Sequence, residues 1–111
     1  LSGTGGAPVN VANITSIILM KALAYLNLIS IEGMKHHADR HAADIVRLSG
    51  VLVDSDKIQV RAELYTPLER LISMKGGAFP DKRVAELRGK GINADRVISD
   101  LQQFIQVQLT G

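Results

Sequence analysis

Residues 14–31 form the most apolar stretch of the chain and read ITSIILMKALAYLNLISI. A helix built from this segment carries apolar side chains on nearly every side. It must therefore be covered on most faces by neighbouring helices or lie in a bilayer, which needs about 20 apolar residues. Lys21, near the middle, makes insertion costly, and no second segment resembles it. We predict the central helix of a bundle, with Asn13 as its N-cap and no membrane span.

A second helix is predicted from about Met34 to Leu48. Its apolar stripe repeats every three or four residues and consists of Ala38, Ala42, Ile45 and Leu48. Gly50 suits the left-handed position that commonly ends a helix. The apolar residues that follow, 51–53, are too few to found a sheet.

Proline and capping signals predict two helices in the middle of the chain. The first is expected from Asp54 to Tyr65. Thr66 then has the pattern of an N-cap, with Pro67 at the first helical position and Glu69 completing a capping box. We expect that second helix to end near Lys75, before two glycines.

Two more helices complete the predicted bundle. A short one follows Pro80 and stops at Gly89. The last begins after Asn93 as N-cap, and its inward positions are Val97, Leu101, Phe104 and Leu109. The predicted fold is thus all-α, a bundle of five or six helices with short connections. We assign residues 1–12 to a flexible lead-in and 13–111 to one helical domain, the C-terminal part of a longer protein.

Composition excludes several classes of function. The chain has no cysteine, so disulfides, thiolate metal sites and cysteine nucleophiles are ruled out. Two Tyr, two Phe and no Trp leave little surface for base stacking, which argues against a dedicated single-strand binder. Thirteen basic residues against eleven acidic ones, without a run of like charge, give no nucleic-acid tail. A cytoplasmic location is the expectation that fits best.

Lys21 is the most informative single residue, since no other charge lies within the apolar segment. Such a lysine must be paired, or its head must reach a cavity or the surface. A cationic head at a cavity wall suits phosphate binding. The sequence leaves both explanations open: a phosphate site, or a stem that extends to the surface of the bundle.

His37, His41 and Asp44 share one face of the second helix, at i, i+4 and i+7. Two histidines one turn apart can chelate zinc, with a carboxylate as third ligand. No glutamate follows the first histidine and no distant ligand is evident. We therefore assign no metal site, and keep these three residues as weak candidates beside an ordinary polar helix face.

Two short motifs resemble those of one enzyme family. Residues 18–24 read ILMKALA, an apolar helix with an internal lysine, and residues 40–45 read RHAADI, with Arg40 and Asp44 one turn apart. The pattern resembles the C-terminal half of the AbiEii-type nucleotidyltransferases, toxin components of type IV toxin–antitoxin systems. The match covers about residues 9–50. It departs from the family at His41, where an aspartate is usual.

The resemblance implies a nucleotide site shared with an upstream domain. In that family a Gly-Ser turn and paired aspartates on a strand hold magnesium, and this chain has no Gly-Ser pair. Magnesium and a nucleoside triphosphate are thus expected only in the complete protein, and this chain alone is expected to be inactive. Lys21 and Asp44 would be catalytic residues, and Lys21 and Arg40 would contact the nucleotide. An acceptor tRNA or protein and a cognate antitoxin would be partners.

Non-catalytic roles are the alternative. Lys82, Arg83, Arg88 and Lys90 flank the short helix after Pro80 and could contact RNA phosphates. A solvated face is the preferred explanation, because Asp81 and Glu86 dilute the charge. A helical module for a protein partner or for homodimerisation is a further possibility. The wide apolar face of the last helix, which includes Phe104, is the predicted seam for a homodimer, and a bundle core would produce the same pattern.

Overall fold

A computed structural model describes residues 14–107, apart from the side chains at positions 75 and 76. The predicted lead-in at residues 1–12, the N-cap at Asn13 and the inward position Leu109 lie outside the described residues. In the described part, the predicted all-α bundle is confirmed. None of the helices described in residues 14–107 is both long enough and apolar enough to cross a membrane.

Six α-helices account for most of residues 14–107. They are α1 (Ile14–Ile29), α2 (Lys35–Ser49), α3 (Ala62–Ser73), α4 (Lys75–Ala78), α5 (Asp81–Arg88) and α6 (Ala94–Phe104). Two three-residue strands, β1 (Ile58–Val60) and β2 (Ile105–Val107), pair in parallel with Ile58 opposite Ile105. This short ribbon joins the middle of the chain to its end.

The core forms around α1, which packs chiefly against α2 and then against α3. Ile18, Ala22 and Tyr25 are the buried hydrophobic residues of α1, and Thr15 is buried beside them. The predicted stripe of α2 is confirmed, with Ala38, Ala42 and Ile45 buried and Leu48 half-buried. Small side chains at Ala22, Ala38 and Ala42 let the two helices approach closely. The remaining large core residues are Val46, Leu68, Leu71, Phe79, Val84, Val97, Leu101 and Ile105.

The predicted helix over Asp54–Tyr65 is wrong. Asp54–Asp56 forms a single 3-10 turn, and its buried Asp56 carboxylate accepts a hydrogen bond of 2.9 Å from the Val53 N–H. The chain then extends into β1 because Ile58 and Val60 are β-branched and find a partner strand at residues 105–107. That pairing is remote in sequence, so local signals do not reveal it.

The predicted helix start at Thr66 is also wrong, because Thr66 and Pro67 both lie inside α3. The Thr66 hydroxyl donates to the Ala62 carbonyl oxygen, at 2.9 Å, one turn back instead of capping a new helix. Pro67 has no N–H and leaves the Glu63 carbonyl without its helical donor. Packing of Leu68 and Leu71, both fully buried, holds the helix continuous through this point.

Glycines end two helices in different ways. Gly50 follows α2 with φ −81° and ψ −12°, so the predicted left-handed cap is wrong there. A Cβ at Gly50 would lie 2.9 Å from the Arg88 Nε, which explains why a residue without a side chain fits. Gly89 has φ 127° and ends α5 where the sequence predicts.

The start of α6 agrees with the prediction. The Asn93 Oδ1 accepts from the Arg96 N–H at 3.1 Å, which is the N-cap bond. The Asp81 Oδ1 accepts from the Ala94 N–H at 3.0 Å, so a second N–H at this helix end is satisfied by a residue of α5. The helix stops at Phe104, since the next residues form β2 instead of continuing as a helix.

One ionic cluster ties α2, α5 and α6 together. The Arg88 Nη1 donates to the Asp100 Oδ2 at 2.8 Å and to the Ser49 Oγ at 3.1 Å. The side chains of Arg88 and Asp100 are 13% and 15% exposed. Removing one partner of a pair this well covered strongly destabilises the fold, because the charge that remains is desolvated and has no counter-charge.

We expect Asp100→Ala to lower the free energy of unfolding by about 2–4 kcal/mol, since Arg88 would lose its counter-charge. Chemical denaturation measures this. The matched control is Asp54→Ala, which removes a carboxylate that is 95% exposed and should change stability by less than about 0.5 kcal/mol. Equal effects of the two substitutions would contradict the assignment.

Alkaline pH should destabilise the fold through Tyr25. Burial raises the pKa of Tyr25 above its usual 10.0, and the nearby Asp39 carboxylate raises the pKa further. The neutral phenol therefore stabilises the folded state below the unfolded pKa near 10, and this contribution is lost as the pH rises toward the folded pKa. Denaturation at pH 8 and at about pH 11 should show a smaller loss of stability for Tyr25→Phe than for the wild type. An equal loss would show that Tyr25 does not carry the effect.

Candidate functional site

The structure brings together Lys21 and Asp44, the two residues that the sequence predicts as catalytic. Lys21 Nζ of α1 lies 2.9 Å from Asp44 Oδ2 of α2. The two residues are 23 positions apart in the sequence. The antiparallel packing of α1 on α2 causes this meeting, because it places the middle of one helix beside the later part of the other.

Arg47 completes the cluster, and sequence reasoning gave it no role. Its Nη1 lies 3.4 Å from Asp44 Oδ1, so each carboxylate oxygen accepts from a different cation. The i, i+3 spacing of Asp44 and Arg47 is the sequence feature that could have predicted this ion pair. Arg40, one turn before Asp44, is exposed and forms no ion pair among residues 14–107. We call Lys21, Asp44 and Arg47 the charged cluster.

The charged cluster is partly open to solvent. The side chains of Lys21, Asp44 and Arg47 are 29%, 37% and 61% exposed. The ammonium group of Lys21 therefore lies at the surface beside the α1–α2 contact. There it is paired with Asp44 and remains partly accessible to solvent. The structure therefore shows the lysine stem extending to the surface, and phosphate binding stays a prediction.

The electrostatics of the charged cluster favour anions. Two cations face one carboxylate, which leaves a formal charge of +1. A lysine ammonium has three N–H donors, and Asp44 takes one of them. Within residues 14–107 no second acceptor is bonded to this ammonium, so its remaining donors could bind a phosphate or carboxylate oxygen.

The weak metal candidates do not form a metal site in the described part of the chain. His37 is exposed, and its ring makes an edge contact with His36 at 5.9 Å between centroids. His41 is half-buried, and its buried Nδ1 has no hydrogen-bond partner. Asp44 is occupied by two cations. No group of three His, Asp or Glu side chains that could hold a metal ion occurs among residues 14–107.

The basic residues near α5 separate into two groups. Arg88 is largely covered and bonded to Asp100, so it is not an exposed cation. Lys82 and Arg83 are exposed and line a cleft of about 350 Å³ between α2 and α5, opposite Lys35. Asp39 and Glu86 lie on the same cleft and offset part of its positive charge. The hydrogen bond from Lys35 to Asp39, at 2.9 Å, raises the pKa of Lys35.

The apolar face of α6 belongs to the core of the bundle. Val97 and Leu101 are fully buried and Phe104 is half-buried, with Lys57 Nζ 5.8 Å from its ring centroid. The predicted homodimer seam on this helix is therefore covered by the protein itself.

None of the protein-family models, curated proteins or solved structures to which the chain was compared matches it.

A double-mutant cycle should show that the Lys21–Asp44 pair contributes little to stability. We expect a coupling energy of about 0.2–1 kcal/mol between Lys21→Met and Asp44→Asn, because both groups are partly hydrated. Thermal or chemical unfolding of the two single variants and the double variant provides the measurement. A coupling above about 2 kcal/mol would instead make the pair a structural crosslink between α1 and α2.

Proposed function

We propose that this chain is the helical part of a nucleotidyltransferase-like enzyme, and that the charged cluster contacts the phosphates of the nucleotide. The observation that supports this most is the 2.9 Å contact between Lys21 and Asp44. Each residue comes from a different motif of the resemblance. If two motifs serve one site, their residues should be close in space. The distance between the two motifs along the sequence does not by itself require this contact.

Lys21 would act by charge. Its ammonium is oriented by Asp44 and has two further donors, which have no acceptor among the described residues. These donors would bind a non-bridging oxygen of the triphosphate or of departing pyrophosphate. Charge stabilisation of this kind acts most strongly when the donor is held in place before the substrate arrives. The hydrogen bond to Asp44 supplies that positioning.

Asp44 would act mainly as a positioning residue. Both its oxygens already accept from cations, Lys21 on one side and Arg47 on the other. Orientation of Lys21 is the role that these contacts support directly, in preference to removal of a proton from the acceptor. Arg40 is exposed and lies one helical turn before Asp44, so it would contact a phosphate more distant from Lys21.

The described residues do not fit the magnesium ion that such chemistry uses. Magnesium takes oxygen ligands, often one or two carboxylates together with substrate phosphates. Asp44 is the carboxylate of the charged cluster, and the cations beside it repel a metal ion. The metal-binding carboxylates would therefore belong to a domain outside these 111 residues, and no step through the metal is assigned to this chain.

A non-catalytic RNA-binding module is the second candidate. It is favoured by the cleft between α2 and α5, where Lys82 and Arg83 are exposed and form no ion pairs in the described part of the chain. Phosphate contacts of this kind predict an affinity for tRNA that falls steeply with salt. No binding at low salt would count against this role.

In the protein completed by its catalytic domain, we expect Lys21→Ala to reduce nucleotidyl transfer by about a hundredfold or more, while the fold stays intact. The measurement is incorporation of label from an α-labelled nucleoside triphosphate, with circular dichroism to check folding. Asp44→Asn should give a smaller loss, since Lys21 keeps its charge.

Lys35→Ala is the matched control, because Lys35 also bonds to an aspartate of α2 at 2.9 Å but on the opposite side of that helix. Its activity should stay within a few-fold of the wild type. Unchanged transfer in Lys21→Ala would sink the proposed role.

A further inference from the structure

The two cations of the charged cluster are held by Asp44 unequally. Lys21 Nζ lies 2.9 Å from Asp44 Oδ2, which is an ordinary length for a hydrogen bond between an ammonium and a carboxylate. Arg47 Nη1 lies 3.4 Å from Asp44 Oδ1, which is long for a bond between two charged groups. Arg47 is therefore the loosely held member of the cluster.

Arg47 can also leave Asp44 at little cost. Its side chain is 61% exposed, against 29% for Lys21. It lies in the last turn of α2, three positions after Asp44 on the same helix. Exposed ion pairs at this spacing contribute little to stability. A ligand that displaced Arg47 would break a weak contact, whereas one that displaced Lys21 would break the shorter bond between two helices.

Most donors of the Arg47 guanidinium have no acceptor in the described part of the chain. Among residues 14–107 the guanidinium is bonded to Asp44 through Nη1 and to no other acceptor. A guanidinium carries five N–H groups in a fixed planar fork. Because that fork matches the spacing of two oxygens on one phosphate, Arg47 is well suited to bind a phosphate from two sides of its plane edge.

Asp44 separates the two cations, because each of its oxygens accepts from a different one. A single phosphate in contact with both Lys21 and Arg47 would lie against this carboxylate, and the two anions would repel each other. Two linked phosphates avoid that position, since the first can bind Lys21 and the second can bind Arg47 after it has left Asp44. The geometry of the cluster therefore favours a chain of phosphates over an isolated one.

We propose that Arg47 makes the charged cluster selective for a diphosphate group over a single phosphate, a role that rests on the proposed function, in which the cluster contacts phosphate. Lys21 binds the first phosphate while it stays bonded to Asp44. Arg47 exchanges its long contact with Asp44 for a forked contact with the second phosphate. The ligands that fit are nucleoside di- and triphosphates and inorganic pyrophosphate, in preference to nucleoside monophosphates.

NMR titrations of this chain with pyrophosphate and, separately, with orthophosphate test the role of Arg47. The wild type should bind pyrophosphate about tenfold more tightly or more, because the second charge-assisted contact forms only with that ligand. Pyrophosphate should shift the Nε–Hε signal of Arg47, whereas orthophosphate should shift signals of Lys21 alone. Arg47→Met should weaken pyrophosphate binding about tenfold and change orthophosphate binding by less than about threefold.

Arg61→Met is the matched control for the loss of one positive charge. Arg61 is 74% exposed, and its Nη1 lies at a similarly long distance, 3.9 Å, from Glu63 Oε1, but it is outside the charged cluster. This variant should keep the preference for pyrophosphate. Circular dichroism should show the same helix content in both variants, since each replaced side chain is more than half exposed. An equal fall in preference in both would overturn the proposal, because net charge alone would then explain it.

The outcomes distinguish this role from the proposed function. Lys21→Met should abolish the binding of both anions. If both bind the wild type equally well, or if the preference survives Arg47→Met, the role of Arg47 is overturned and the phosphate contact of Lys21 stands. If neither anion binds the wild type, or both still bind Lys21→Met, the cluster is not a phosphate site and both proposals fail. Selective binding with unchanged nucleotidyl transfer in Lys21→Ala would contradict the enzymatic role alone.

Discussion

The close packing of α1 on α2 is the contact on which both the core and the charged cluster depend. Ala22, Ala38 and Ala42 are almost completely buried, and their small side chains allow the helix axes to approach. The antiparallel arrangement then sets the register: Lys21 lies beside Asp44, while Tyr25, one turn later, is close enough to Asp39 for that carboxylate to raise its pKa. Because core packing fixes this register, the charged side chains are brought together without a need for strong attraction between them.

Two close ion pairs in the described part of the chain differ in burial. Arg88 and Asp100 are covered and join three helices, and they account for the small residue at Gly50. Lys21 and Asp44 have a contact of almost the same length, 2.9 Å against 2.8 Å, but they are about twice as exposed or more. Breaking the Arg88–Asp100 pair should cost stability, whereas the Lys21 ammonium is partly exposed to solvent. Distance alone would not have distinguished a structural pair from a candidate site.

Sequence reasoning succeeded where local signals decide the structure. The apolar pattern predicted α1 and α2, and Asn93 predicted the start of α6. It failed where distant contacts override local ones. Thr66 and Pro67 match the sequence pattern of a helix start. The helix α3 nevertheless continues through both residues, because Leu68 and Leu71 are buried in the core. Ile58–Val60 becomes a strand only because residues 105–107 are there to pair with it. Arg88 looked like a free surface cation because nothing local indicates Asp100, twelve residues later.

The central claim, that the charged cluster binds phosphate, is tested most directly by titrating pyrophosphate into this chain and following its backbone and side-chain NMR signals. We expect weak binding, with a Kd on the order of 1 mM, and shifts centred on Lys21, Asp44 and Arg47. These shifts should disappear in Lys21→Met, whereas signals of Lys35 and Asp39, the similar pair on the other side of α2, should stay in place in both proteins. Shifts centred on Lys35, Lys82 and Arg83, or a response that persists in Lys21→Met, would contradict the account.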